Sequence, residues 1–416
     1  MRGDPKGGRM KRSLNALCIL NFFIADVRDG LGPFLGVFLQ EHHWSPSEIG
    51  MVMTIGGIAG MLATTPFGIL VDKTTAKRML LVAAALAIVV ASIANLFFPN
   101  IVVTVAAQIV SGTAGSVVPP AIAAITLGLV LQKGFARQLG RNEAFNHAGN
   151  VAAAVLAGVF GYLFGIGAVF VVMAAMAAGA IVATSFIKAS EIDHRAARGL
   201  SEDGGARKTG LSILVTSAPL LVLGATLTLF HLGNAAMLPL LGQSIVARGA
   251  GDPSAYTSAT IIVAQLTMVP MALLASKLAL RRGYWIVFLL ALIALPIRGL
   301  LAAYFTSPLG LFPVQVLDGV GAGLLGVAVP GLVAQILSGT GHINAGLGAV
   351  MTLQGVGAAL SPALGGVVAE RLGYPAAFLA LGVVAVAGLV LWCITRPLTA
   401  EACADPSNRM TPKRVA

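Results

Sequence analysis

Charge is scarce in this sequence. Of its 416 residues only 10% are Asp, Glu, Lys or Arg, against 57% hydrophobic, and the mean hydropathy is +0.89. A soluble chain of this length could not cover its surface with so few charges. Cysteine is scarce as well: Cys18, Cys393 and Cys403 form neither a disulfide framework nor a metal-ligand spacing. No Walker lysine motif occurs, so no nucleotide cofactor or ATP drive is implied. Gly321 to Gly326 fits G-x-G-x-x-G, but it lies inside an apolar run with no strand before it and no ribose-binding acid after it. It suits close helix packing rather than a dinucleotide, as does Gly56-x-x-x-Gly60.

What fills the chain instead is a series of apolar runs of about 20 residues, each long enough to cross roughly 30 Å of hydrocarbon. They are too long to be the short alternating strands of a β-barrel. The fold class is all-α and polytopic, with twelve spans near 14–39, 47–70, 79–98, 101–131, 143–165, 167–188, 211–246, 255–276, 284–305, 309–337, 344–369 and 375–395. The first run follows a basic start, but it is too long for a signal core and lacks a small-residue cleavage site, so it reads as a span.

The formal net charge of +11 is topological. All 27 Lys and Arg residues except Arg28, Arg248, Arg298 and Arg371 fall on one side of this arrangement. The positive-inside rule makes that side cytoplasmic and puts both termini there, and no nucleic-acid partner is needed to explain the basicity.

The polar stretch 189–210 divides six spans from six and reads as a flexible cytoplasmic linker. The expected organisation is a six-helix bundle over 1–188, the linker, a second bundle over 211–396 and a tail over 397–416. The halves look related. Gln108 to Gly112 ("QIVSG") matches Gln315 to Gly319 ("QVLDG"), and Gly149 and Gly158 match Gly357 and Gly366, all at an offset of about 208 residues. Parallel repeats imply a pseudo-two-fold axis along the membrane normal and a site between halves.

After span 2 the chain reads Gly68, Leu70, Asp72, Lys73, then Lys77 and Arg78. On these residues and on the repeat, the whole chain resembles the major facilitator superfamily, whose best-known signature is a Gly-x-Leu-x-Asp-Arg/Lys-x-Gly-Arg-Arg/Lys loop at this place. It departs at Thr75, where a glycine is expected, and at Gln108, where the family carries an arginine. The resemblance implies two pseudo-symmetric six-helix bundles, alternating access, and a cytoplasmic latch formed by Gly68, Asp72, Lys73 and Arg78. Lys77 and Arg78 are also expected to anchor span 3 at the headgroups. Gly357 to Gly366 ("GAALSPALGG") is similar to an antiporter motif of that family, though it lies in span 11 rather than span 5.

Three charges sit inside span 1: Asp26, Arg28 and Asp29. Each would cost roughly 2.5–3.5 kcal/mol facing lipid, so they must face protein or water. At about 100° per residue, Asp29 is about 60° from Asp26, and Asn21 projects close to Arg28. Arg28 can neutralise one carboxylate; the other is a candidate proton carrier, with Asp29 ahead of Asp26. Binding of a substrate cation by the same carboxylates is the rival reading. Further polar groups inside spans are substrate-binding candidates together with Asn21 and Arg28: Asn146, His147 and Asn150 in span 5, His231 and Asn234 in span 7, Gln315 in span 10 and Gln354 in span 11. Arg298 in span 9 and Asp318 in span 10 lie at comparable depth from the tip of one hairpin and are expected to form a buried ion pair.

The expected function is secondary transport of a small organic solute, proton-coupled and outward, from a monomer in the plasma (inner) membrane. Its partners are the solute, protons and the lipid bilayer; no enzyme chemistry, cofactor or metal is indicated. With only 6% aromatics, a small polar or amphiphilic solute fits better than a bulky sugar. The alternatives are a proton-symport uptake carrier, an uncoupled facilitator of an organic anion and, more remotely, a membrane sensor or enzyme on the same scaffold.

Overall fold

The computed structural model describes residues 5–29, 31–198, 216–305, 307–337 and 343–404, without the side chains of 5–10, 28, 29, 132, 133, 136, 308, 311 and 343–345. Among these residues there are helices and no strands. The helices of the first half are α1 (Pro5–Asp29), α2 (Leu31–Glu41), α3 (Pro46–Lys73), α4 (Lys77–Phe97), α5 (Ile101–Gly115), α6 (Val118–Phe164) and α7 (Gly167–Ser185). Those of the second half are α8 (Ala218–Asn234), α9 (Met237–Arg248), α10 (Pro253–Arg282), α11 (Tyr284–Tyr304), α12 (Leu311–Ile336), α13 (Ile343–Leu372), α14 (Tyr374–Ile394) and the short α15 (Arg396–Cys403). Eleven helical stretches among the described residues are long and apolar enough to cross a membrane. The first expected span, 14–39, is covered by α1 and α2 on either side of residue 30.

Polar residues mark where helices begin. Ser45 and Glu48 bond reciprocally at the head of α3: Ser45 N–H donates to Glu48 Oε2 at 2.9 Å, and Glu48 N–H to Ser45 Oγ at 3.3 Å. Asn100 accepts from Val103 N–H ahead of α5, and Asp252 from Ala255 N–H ahead of α10. Two of the tight interhelical turns use glycine in the left-handed region, Gly165 (φ 84°) before α7 and Gly373 (φ 87°) before α14. These positions are separated by the offset that relates the sequence halves.

α6 departs from expectation. Its 47 residues are two helical limbs that meet at a kink at Leu131 (φ 56°, ψ −177°), where expected span 4 ends, and the second limb takes up the polar segment expected to separate spans 4 and 5. In that segment Lys133, Ala136, Arg137, Gln138, Leu139 and Arg141 are good helix formers and offset the glycines at 134 and 140. Span 5 accordingly begins at Arg137, six residues ahead of its expected start.

The chain folds into two compact units. The first comprises Met1–Trp44, Val52–Arg207 and Ile245–Ala259, the second Ser45–Met51, Lys208–Ser244 and Thr260–Ala416. In the first unit α1 packs on α6 and α7, and α4 on α5 and α7. In the second, α8 packs on α13 and α14, and α11 on α12 and α14.

Glycine lets these helices approach closely. A Cβ on Gly60 would sit 2.9 Å from Gly112 O, which explains the Gly56-x-x-x-Gly60 spacing as an α3–α5 packing seam. A Cβ on Gly158 would lie 2.7 Å from Ser258 Cβ in the first unit. At the repeat-related position of the second unit, Gly366 packs closely against Gly50.

The interdomain stretch is partly structured. Ala189–Glu191 and Ala196–Arg198 form 3-10 turns, while 199–210 lies outside the described residues. Ile187, Ile192 and Ala197 are buried, and Asp193 N–H donates to Gly128 O at 2.9 Å. Ser13 Oγ donates to Glu191 Oε2 at 2.6 Å and accepts from Lys188 N–H at 3.2 Å. The Asp193 carboxylate accepts N–H bonds from Ala196 and Arg195, which hold its pKa below the usual value.

Candidate functional site

The first unit holds the span-1 charges. Asp26 is 5% exposed, near the end of α1. Arg28 and Asp29 continue the same helix, with side chains outside the described residues. Asn21 turns back on its own helix, its Nδ2 donating to Leu17 O at 2.8 Å. That bond ties up one donor of a residue expected to meet solute. Asn146, His147 and Asn150 are part-exposed along α6. Between Asn146 and Asn150 lies Gly149, where any Cβ would collide with the Phe22 carbonyl. The carbonyl belongs to α1, so this glycine brings the charged helix against the polar face of α6.

A polar hub one to two turns away escapes the sequence reading. Gln138 Nε2 donates to Asn142 Oδ1 at 2.9 Å and to Cys18 Sγ at 3.3 Å, and Asn142 Nδ2 donates to Thr126 Oγ1 at 3.0 Å. All four residues are buried, Asn142 and Thr126 at 0% exposure. The hub joins α1 to both limbs of α6. The signal that could reveal it is the i, i+4 spacing of Gln138 and Asn142, which has meaning only if that stretch is helical.

At the end of α3, Asp72 and Lys73 are exposed and Gly68 has open space around it. The two basic residues that follow turn inward rather than to the headgroups. Lys77 is 0% exposed, its Nζ donating to Val71 O at 2.5 Å and Thr74 O at 2.8 Å, where a helix C-terminus welcomes a cation. Arg78 Nη1 donates to the Ile187 carbonyl.

The second unit holds the other charged cluster. Arg298 on α11 is 1% exposed, and its Nη1 lies 2.8 Å from Asp318 Oδ1 on α12 and 2.6 Å from Asn234 Oδ1 on α8. Three helices are therefore tied by one guanidinium nitrogen. Asp318 retains 17% side-chain exposure. Gln315, one turn before Asp318, is fully buried. His231 Nδ1 lies 2.9 Å from Leu227 O within α8, and Gln354 is part-exposed on α13. Among the described residues no group of three His, Cys, Asp or Glu side chains is placed to hold a metal.

Buried, paired charges on membrane-crossing helices mark solute or ion paths rather than hydrolytic chemistry. Comparison with known proteins agrees. The family model of the Major Facilitator Superfamily matches residues 17–312. The chain is 42% identical to an uncharacterized MFS-type transporter of Mycobacterium tuberculosis over 404 residues, covering 96% of this chain and 97% of that one. It is 26% identical over 362 residues to the multi-drug resistance efflux pump PmrA of Streptococcus pneumoniae, covering 84% and 87%. Its fold is similar to the crystal structure of a mutant of the nucleoside transporter NupG, with a TM-score of 0.74 at 14% identity, over 92% of this chain and 99% of that one. The chain is a multi-pass membrane transporter, not an enzyme, and it belongs to the Major Facilitator Superfamily.

Proposed function

We propose that this transporter exports a small organic solute by alternating access, driven by protons moving inward, from the plasma membrane and with both termini cytoplasmic. The observation that carries the coupling is Asp26, a carboxyl held at 5% exposure on a helix expected to lie in the membrane, with Asp29 three residues further on. Ionisable groups kept at such depth serve as proton relays. The outward direction is supported by the likeness to an efflux pump. Asn146, His147 and Asn150, part-exposed beside α1, are the solute contacts in the first unit, and Asp72, Lys73 and Arg78 serve the cytoplasmic gate.

The test uses purified protein in proteoliposomes. A solute that raises the melting temperature is followed under an imposed pH gradient, in wild type and in the Asp26→Asn, Asp29→Asn and double variants. Gradient-driven accumulation is expected to fall at least tenfold in the double variant, equivalent to about 1.4 kcal/mol in the transport step. Unchanged accumulation in all three variants rules out coupling through these carboxyls.

A further inference from the structure

The unmatched half of the Arg298 cluster has chemistry that proton coupling through α1 leaves unused. Nη1 carries the hydrogen bonds of Arg298 to both Asp318 and Asn234. Nε and Nη2 have no hydrogen-bond partner among the described residues, although Arg298 is 1% exposed. Those two nitrogens form the side edge of the guanidinium, where two parallel N–H bonds match the two oxygens of one carboxylate. Asp318 meets Nη1 and leaves that edge free. Gln315 lies three residues before Asp318, on the same face of α12, and is 0% exposed. Neither its Oε1 nor its Nε2 has a partner among the described residues. Native interiors rarely leave such groups unmatched, because each loses its water without compensation. Here four of these atoms belong to two side chains, one paired with Asp318 and the other a single turn from it.

We propose that the cluster is a subsite for a zwitterionic solute, one that carries a carboxylate and a nearby ammonium group. The inference rests on the reading of the protein as a transporter of a small organic solute, and it names the class of that solute. Charge balance selects the class. Arg298 and Asp318 already neutralise each other, so a lone carboxylate would bring an uncompensated negative charge into a low-dielectric bundle. A solute with its own cation keeps the sum at zero. Its carboxylate takes the Nε/Nη2 edge and Gln315 supplies an amide N–H. Asp318, whose side chain is 17% exposed, receives the ammonium. Arg298 and Gln315 are closed off at 1% and 0% exposure, so binding requires side chains around them to turn.

Thermal unfolding of the purified full-length protein tests this, with the standard amino acids as probes, each beside its methyl ester and its N-acetyl form. At least one amino acid is expected to raise the melting temperature by several degrees at saturating concentration, because a ligand that binds only the folded state stabilises it. Its ester, lacking the carboxylate, and its N-acetyl form, lacking the ammonium, are expected to give no shift. Arg298→Lys keeps the charge but not the edge, and should abolish the response. Gln315→Leu should raise the melting temperature without ligand, since it removes an unmatched amide. The same variant should weaken amino-acid binding about tenfold, the scale of one lost hydrogen bond. Where Arg298→Lys does not fold, Gln315→Leu decides. The subsite is overturned if no amino acid stabilises the wild type, if the ester or N-acetyl form matches its parent, or if Gln315→Leu binds as tightly as wild type. Proton-driven transport of another solute with no zwitterion response would remove the subsite and leave the transport reading standing. A zwitterion response with no proton-driven transport would keep the subsite and remove the proton coupling.

Discussion

Gly323 and Gly326 lie three residues apart on α12, in the Gly-rich run that mimics a dinucleotide motif, and alanine should affect them in opposite directions. A Cβ on Gly323 would sit 2.6 Å from Met268 O and 2.8 Å from Met271 Cβ, both on α10. The first clash is with backbone, so no rotamer change relieves it, and α10 and α12 must move apart. Overpacking of this kind costs about 1–3 kcal/mol. A Cβ on Gly326 meets nothing within 4 Å. Both substitutions gain the same helix propensity, up to about 1 kcal/mol. That shared gain cancels in the comparison, so the difference between the two variants isolates the packing penalty of about 1–3 kcal/mol. At about 1 °C per kcal/mol for a chain of this size, Gly323→Ala should melt roughly 1–3 °C below Gly326→Ala. Scanning fluorimetry in one detergent, with wild type alongside, measures it. Wild type should fall between the variants or close to one of them. If Gly323→Ala melts as high as Gly326→Ala, the close α10–α12 approach is not what the glycine serves.

Asn142→Ala removes the centre of the buried hub and leaves Gln138 and Thr126 without it; a loss of about 1–3 kcal/mol is expected by chemical denaturation, whereas Asn15→Ala, which loses an exposed contact in which Asn15 Oδ1 accepts from Arg141 Nη2 at 3.5 Å, should stay within about 0.5 kcal/mol of wild type. Asp193 has a lowered pKa in the folded state, so its contribution is full above the unfolded carboxylate value and disappears as pH falls through the lower folded value. Protection from hydrogen exchange over 189–198, taken relative to the intrinsic rate at each pH, should therefore fall on acidification through that window, and Asp193→Ala should be poorly protected already at neutral pH with no further acid step. An acid step that persists in Asp193→Ala would assign it to another group.

Most of the membrane architecture is legible in the sequence because hydrocarbon imposes one strong rule, a long apolar run for each crossing. The depth argument for Arg298 and Asp318 works from the same rule: a hairpin fixes how far each residue lies from its tip, and the two side chains stand 2.8 Å apart. The rule says nothing about polar segments. Lys133 to Arg141 therefore reads as a loop, and the second limb of α6, with its hub through Gln138, stays hidden. Residues 189–198 read as flexible for the same reason, because polar composition hides the three apolar side chains, Ile187, Ile192 and Ala197, that seat this stretch. The inward turn of Lys77 is hidden differently. A lysine just past a span satisfies both headgroup anchoring and helix capping, and only coordinates separate them.

The setting of Cys18 has a practical consequence for labelling. Its thiol is 1% exposed and lies against the Gln138 and Asn142 amides, while Cys403 is buried at 2% and Cys393 is exposed. A maleimide should therefore react slowly at the two buried native positions. Slow labelling at Cys18 then counts openings of the α1–α6 seam, with no introduced cysteine and no change to the charges beside it. Rates followed with and without solute would turn an unremarkable buried thiol into a clock for movement of the helix that carries Asp26.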